Sequence, residues 1–209
     1  MRLSRAEFDA ALADNRLRLA LIGMSNIGKS VTARRLSAMF KTVEIDALIE
    51  AELGLTDMQA LAEWMGFPWQ DAYETRAAQY LAAEARLSLA DYGPGNLVLD
   101  STGSLIHIPA NDKKTFCDRY LCVYLEASPH DEQRLADLYF DHPKPTIWGH
   151  AYQPLPEEDP QAALKRCYPD LLKTRTRLYE EMADVRLPAG DVYNRKHPEM
   201  ILDLIRKAL

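Results

Sequence analysis

Leu19-Ala-Leu-Ile-Gly-Met-Ser-Asn-Ile-Gly-Lys-Ser30 is the stretch that decides the fold. Gly23, four unconstrained positions and then Gly28-Lys29-Ser30 form the full phosphate-binding loop pattern. An apolar run over residues 17–22 precedes it, and a helix-forming segment reaching Phe40 follows. Strand, glycine loop, helix is the arrangement in which backbone N–H groups and a helix N-terminus converge on a polyphosphate. The loop residues Gly23, Ser25, Asn26, Ile27, Gly28, Lys29, Ser30 and Val31 are therefore expected around a bound nucleotide. Lys29 would reach the terminal phosphates, and the Ser30 hydroxyl would ligate the magnesium that travels with them.

A length of 209 residues suits a single domain with a substantial core, taken as residues 1–209. Hydrophobic content of 47% and charged content of 27% are those of a soluble globular chain. A net charge of −6 gives no general electrostatic pull toward nucleic acid or a membrane, so a phosphate site here must be made by local geometry. No apolar run approaches a membrane span, and the N-terminus lacks a secretory pattern. Three cysteines without a Cys-x-x-Cys pair argue for thiols in a reducing cytoplasm.

Elements alternate along the chain. Ser4 and Glu7 read as a capping box opening a helix to Asn15. Strands are expected over residues 17–22, 42–45, 96–99, 120–125 and 185–187. Helices are expected over 29–40, from an Asp46 cap to Leu53, from a Thr56 cap to Trp64, over 129–139, over 161–183 with Pro169 as an interruption or start, and over 198–209. The longest helical pattern runs from Trp69 to Asp91, with Trp69, Tyr73, Ala77, Tyr80 and Leu87 on one face. Residues 140–160, rich in proline, read as a surface lid or long loop. This alternation predicts an α/β domain with a mostly parallel sheet, whose ligands bind at the carboxyl ends of the strands.

That rule nominates the groups able to do chemistry. Glu44 and Asp46 close one strand and Asp100 another, positions suited to magnesium and to an attacking hydroxyl, or simply to caps and turns. Thr102, Gly103 and Ser104 offer small side chains and hydroxyls beside a ligand, or a plain turn. Arg134, Lys144 and Arg175 are candidates to neutralise a transferring phosphoryl group, Lys144 from within the lid. His142 and His150 lack ligand spacing with any cysteine and read as loop residues.

The pieces resemble shikimate kinase, from Leu19 to the C-terminus through several short patches. Residues 23–30 match its phosphate loop, and Glu44-Ile-Asp-Ala-Leu-Ile-Glu50 resembles its Asp-x-Asp-x-x-Ile-Glu segment. Thr102-Gly103-Ser104 stands where that family has three glycines, Lys144-Pro145 where its lid has Arg-Pro, and Trp69-Gln70 where it has Phe-Arg. Arg134 resembles its adenine-side arginine, Asn194-Arg-Lys-His-Pro198 its late adenine loop, and Arg175 its acceptor-carboxylate arginine.

The resemblance implies a P-loop NTPase fold, a nucleoside-monophosphate-kinase-like three-layer α/β sandwich on a five-stranded parallel sheet, with an acceptor-binding helical segment at about 46–92 and the lid at about 140–160. It implies ATP and Mg2+, with Lys29, Asp46 and Lys144 catalytic. Arg134 and Arg195 would lie against the nucleotide, Ser30, Glu44 and Asp100 would hold metal, and Asp46, Gln70, Thr102, Gly103, Ser104 and Arg175 would face the acceptor. The differences at Gln70, Thr102, Ser104 and Lys144 all fall on the acceptor side, so the expected reaction is phosphoryl transfer to a hydroxyl of a small polar metabolite. The alternatives are shikimate itself, a nucleoside or nucleotide acceptor, or an ATP-binding module that transfers nothing. The expected partner is a small molecule, with no nucleic acid or membrane, in a cytoplasmic monomer or weak dimer.

Overall fold

In the computed structural model, which describes residues 2–209, five strands form one parallel sheet in the order β2-β3-β1-β4-β5. They are β1 (Arg18–Ile22), β2 (Lys41–Glu44), β3 (Leu97–Asp100), β4 (Leu121–Glu126) and β5 (Val185–Pro188). β1 lies at the centre, with Leu19 opposite Val98 on one side and Leu121 on the other. β1, β3 and β4 are buried almost throughout, because helices cover both faces of the sheet. α1 (Arg5–Ala13), α2 (Lys29–Leu36), α9 (Ala189–Tyr193) and α10 (Pro198–Ala208) pack together. α6 (Ala110–Arg119), α3 (Ile45–Glu52) and α4 (Met58–Met65) pack on α5 (Tyr73–Ser88), and α8 (Pro160–Met182) packs on β4. α7 (Pro129–Asp141) follows β4 and leads into residues 142–159 before α8.

Local sequence sets most boundaries. Ser4 and Glu7 make the expected capping box on α1. Ser128 and Asp131 make a second on α7, with Pro129 at the first helical position, where its missing N–H costs nothing. Asp159 caps α8, its carboxylate accepting from Gln161 and Ala162 N–H. At the amino end of the sheet Asn96 ties three strands together. Its Oδ1 accepts from Leu17 N–H at 2.8 Å, and its own carbonyl accepts from Lys41 N–H at 2.9 Å.

Several boundaries differ from the sequence reading. Asp46 is not a cap: β2 runs straight into α3, Glu44 takes the cap position, and Asp46 sits in the first turn. Asp57, not Thr56, caps α4, accepting from Ala60 N–H at 2.9 Å. The helix expected from Trp69 begins only at Tyr73, because residues 67–72 fold into turns closed by Gln70. Its buried face continues through Glu84 and Ser88, leaving Leu87 only partly buried. The longest helix is α8 at 23 residues, unbroken by Pro169. α6 is not among the expected helices, since Phe116 is its one buried residue and most of the others are polar. Residues 145–148, expected at the surface, are buried. Among the described residues no helix is long and apolar enough to cross a membrane.

Candidate active site

The site begins where β1 hands over to the glycine loop. Gly23 has φ +144°, and a Cβ there would stand 2.9 Å from the Leu125 carbonyl, so only glycine lets the loop lie against β4. Gly28, at φ +108°, occupies the cap position of α2 and offers no side chain to its first turn. The first N–H groups of α2 are thus left for an anion. Lys29, 7% exposed, folds back over the loop, its Nζ donating to the carbonyls of Gly23 and Met24 at 3.0 Å each. Burial pushes its pKa down, opposed chiefly by Asp100 and then Asp46.

A cavity of about 340 Å3 opens above this loop. Ser25, Asn26, Gly28, Lys29, Ser30 and Val31 of the loop and α2 line it, with Asp46 from the first turn of α3, Asp100 from the end of β3, Leu138 from α7 and Lys144. Asp46 is partly buried, and that burial raises its pKa against the pull of Lys29. Tyr80 Oη lies 3.4 Å from Asp46 Oδ1. Asp100 is buried, and its Oδ1 has no hydrogen-bond partner among the described residues. An orphaned carboxylate oxygen and a hydroxyl lining the same cavity, Asp100 Oδ1 and Ser30, are hard oxygen donors of the kind magnesium takes, so these residues fit that ion.

Other nominated residues are placed differently. Glu44 pairs in register with Asp100 but is exposed and does not line the cavity. Arg134 is exposed and pairs with Asp131 at 3.1 Å, and Arg195 lies in the turn after α9, its carbonyl held by Arg35; neither reaches the cavity. Gln70 is exposed, its Oε1 accepting from Phe67 N–H at 2.8 Å. Thr102 and Ser104 are each 1% exposed. Thr102 Oγ1 donates to Glu84 Oε1 at 2.5 Å and accepts from Ser104 N–H at 2.9 Å. The Gly103 carbonyl accepts from Arg175 at 3.0 Å and Tyr179 at 2.5 Å.

Sequence reasoning missed Glu84 and Tyr73. Glu84 is fully buried on α5, and burial above all pushes its pKa up to about 8. Its Oε2 has no partner among the described residues. The signal was present in the sequence: Glu84 follows Tyr80 by four positions, which puts an acid on an otherwise apolar helical face. Tyr73 Oη hydrogen-bonds the main chain of Thr146 and Trp148, and nothing in the sequence marks that contact.

A phosphate loop after the central strand, with Asp46, Asp100 and Lys144 around the same cavity, is the arrangement of a P-loop kinase of the small-molecule type. The comparisons agree. The chain is 28% identical over 184 residues to a shikimate kinase of Nitrobacter winogradskyi, covering 88% of this chain and 73% of that one. It is 24% identical to a shikimate kinase of Haemophilus influenzae, covering 88% and 90%. Its fold is similar to that of a shikimate kinase from Acinetobacter baumannii in complex with shikimate (TM-score 0.62, 23% identity, 93% of this chain and 96% of that one). The shikimate kinase of Aquifex aeolicus is also similar in fold (TM-score 0.55, 16% identity, 92% and 95%). No protein-family model matches. The chain is a shikimate kinase-like P-loop kinase.

Proposed function

We infer that the protein transfers the terminal phosphoryl group of ATP to a hydroxyl of a small polar metabolite. The observation that carries this reading is the single cavity in which Lys29, Ser30, Asp46, Asp100 and Lys144 converge. In this mechanism the loop N–H groups and the α2 terminus hold the phosphates. Lys29 exchanges its loop carbonyls for phosphate oxygens, and Lys144 approaches the transferring group from the lid side. Asp46 accepts the hydroxyl proton while the acceptor oxygen bonds to phosphorus and the bond to the ADP oxygen breaks. Its raised pKa brings a carboxylate base closer to neutrality. Magnesium, held by Ser30 and Asp100, supplies further charge neutralisation when bound. The three cysteines form no disulfide, which suits a reducing cytoplasm.

Lys29→Met tests the scheme in a coupled ADP-release assay over a panel of hydroxyl compounds. Acceptor-stimulated release is expected to vanish. Turnover retained within about tenfold of wild type would refute the role of Lys29 and the reading with it, since removal of one such electrostatic group costs about 10²–10³-fold.

A further inference from the structure

Arg175 is occupied. It is 4% exposed, with Nη1 donating to the Gly103 carbonyl at 3.0 Å and Nη2 to the Ile147 carbonyl at 3.1 Å. The void beside it measures about 20 Å3, room for about one water. A bidentate carboxylate needs two parallel N–H groups of the guanidinium fork free, together with space for the rest of the acid. Neither is present. The second arginine of the resembled pattern is replaced by Gln70, whose amide closes its own turn.

Arg175 acts on the lid instead, and Tyr73 acts with it. Tyr73 Oη donates to the Thr146 carbonyl at 2.8 Å and accepts from Trp148 N–H at 2.9 Å. Three successive residues, 146–148, are therefore fastened by one main-chain hydrogen bond each to side chains of α5 and α8. Trp148, 2% exposed, is wedged among Tyr139, Tyr152 and Tyr168. Thr146 Oγ1 donates to the Lys144 carbonyl at 2.9 Å, which carries this seating to the residue that lines the phosphate cavity.

Lys144 is also approached from its other side. A groove of about 450 Å3 runs between α4 and residues 141–144. Met58, Ala62 and Phe67 give it an apolar floor, Glu63 and Asp141 give it acidic walls, and Lys144 is the one lysine or arginine lining it. Such a groove disfavours an anion and suits a neutral or cationic molecule.

We propose that Tyr73 and Arg175 are positioning residues that seat the lid, and that the acceptor enters by the α4 groove as a hydroxyl compound lacking an anionic group, a polyol or an amino alcohol. The acceptor half of this proposal rests on the kinase reading above, and the seating half stands without it.

The test uses the full chain with Trp64→Phe and Trp69→Phe, so that Trp148 alone reports, and adds Tyr73→Phe or Arg175→Lys. Tyr73→Phe leaves two buried main-chain groups without partners and shifts the seated-to-unseated ratio about tenfold or more. Acrylamide quenching of Trp148 is expected to rise, and kcat to fall with the KM for ATP unchanged. Arg175→Lys, which keeps one contact, is expected to lie between wild type and Arg175→Met. ADP release is then compared for myo-inositol, glycerol, ethanolamine and choline against shikimate and gluconate, with turnover expected only in the first group. Turnover of shikimate or gluconate with a KM raised by Arg175→Lys, at unchanged Trp148 quenching, would overturn the proposal. Should no compound raise ADP release, the kinase reading fails, and unchanged quenching in both variants would overturn the seating as well.

Discussion

Glu84→Gln is a replacement of one atom that separates burial from charge. In the folded chain the Glu84 carboxyl keeps its proton to about pH 8, whereas its ordinary value is 4.5. Between those values the folded state binds more protons than the unfolded state, so this group makes stability decline as pH rises. The whole interval corresponds to about 5 kcal/mol, of which about 3 kcal/mol falls between pH 5 and pH 7. Glutamine keeps an Oε1 that accepts from Thr102 Oγ1 and does not titrate. Urea unfolding of both proteins, extrapolated linearly at each pH, reads the difference directly. The variant is expected to gain about 3 kcal/mol relative to wild type from pH 5 to pH 7. A gap that stays constant over that interval would show that Glu84 ionises as a solvated carboxyl, and the account of a sealed, protonated side chain would fail.

Asp46→Asn is expected to lower kcat about 10²–10⁴-fold with nucleotide affinity unchanged, as for loss of a general base; a reduction below about tenfold, in the ADP-release assay, would assign the proton to another group. Because burial disfavours the Asp46 charge, the same variant is expected to melt no lower than wild type at neutral pH, as scanning calorimetry would check. Gly23→Ala places a methyl 2.9 Å from the Leu125 carbonyl at a φ of +144°, with an expected loss of about 1–3 kcal/mol and no stabilisation by ATP in a thermal-shift assay. A wild-type shift with ATP would refute the stated fit of loop to strand.

What the sequence made legible follows from how local each signal is. The phosphate loop, its preceding strand and the apolar strands that carry Asp100 and Tyr124 are contiguous in the chain, and the structure builds these strands within a residue of the reading, whereas α2 stops at Leu36 and does not reach Phe40. The α1 capping box is equally local. Asp46 lines the cavity above the glycine loop, but the sequence reads it as a cap, because nothing in Thr42-Val-Glu-Ile45 shows that strand passes into helix without a loop. The acceptor side was hard to read for a different reason. Whether Thr102 meets a ligand or Glu84, and whether Arg175 faces a pocket or the Ile147 carbonyl, depends on partners far along the chain that no spacing rule connects. The polar surface of α6 hid a helix that buries one phenylalanine.

The central place of β1 also has a consequence for how the chain is made. Its hydrogen-bonding neighbours are β3 and β4, so Leu19 waits for Val98 and Leu121 to emerge from the ribosome before either of its edges is covered. Parallel pairing of such distant segments is slow, because loop closure precedes any reward. Until then an apolar strand and a loose glycine loop are open to chaperones and to aggregation. Nucleotide binding thus becomes possible only late in synthesis, and ATP would act on this chain as a selective stabiliser of molecules that have completed their sheet.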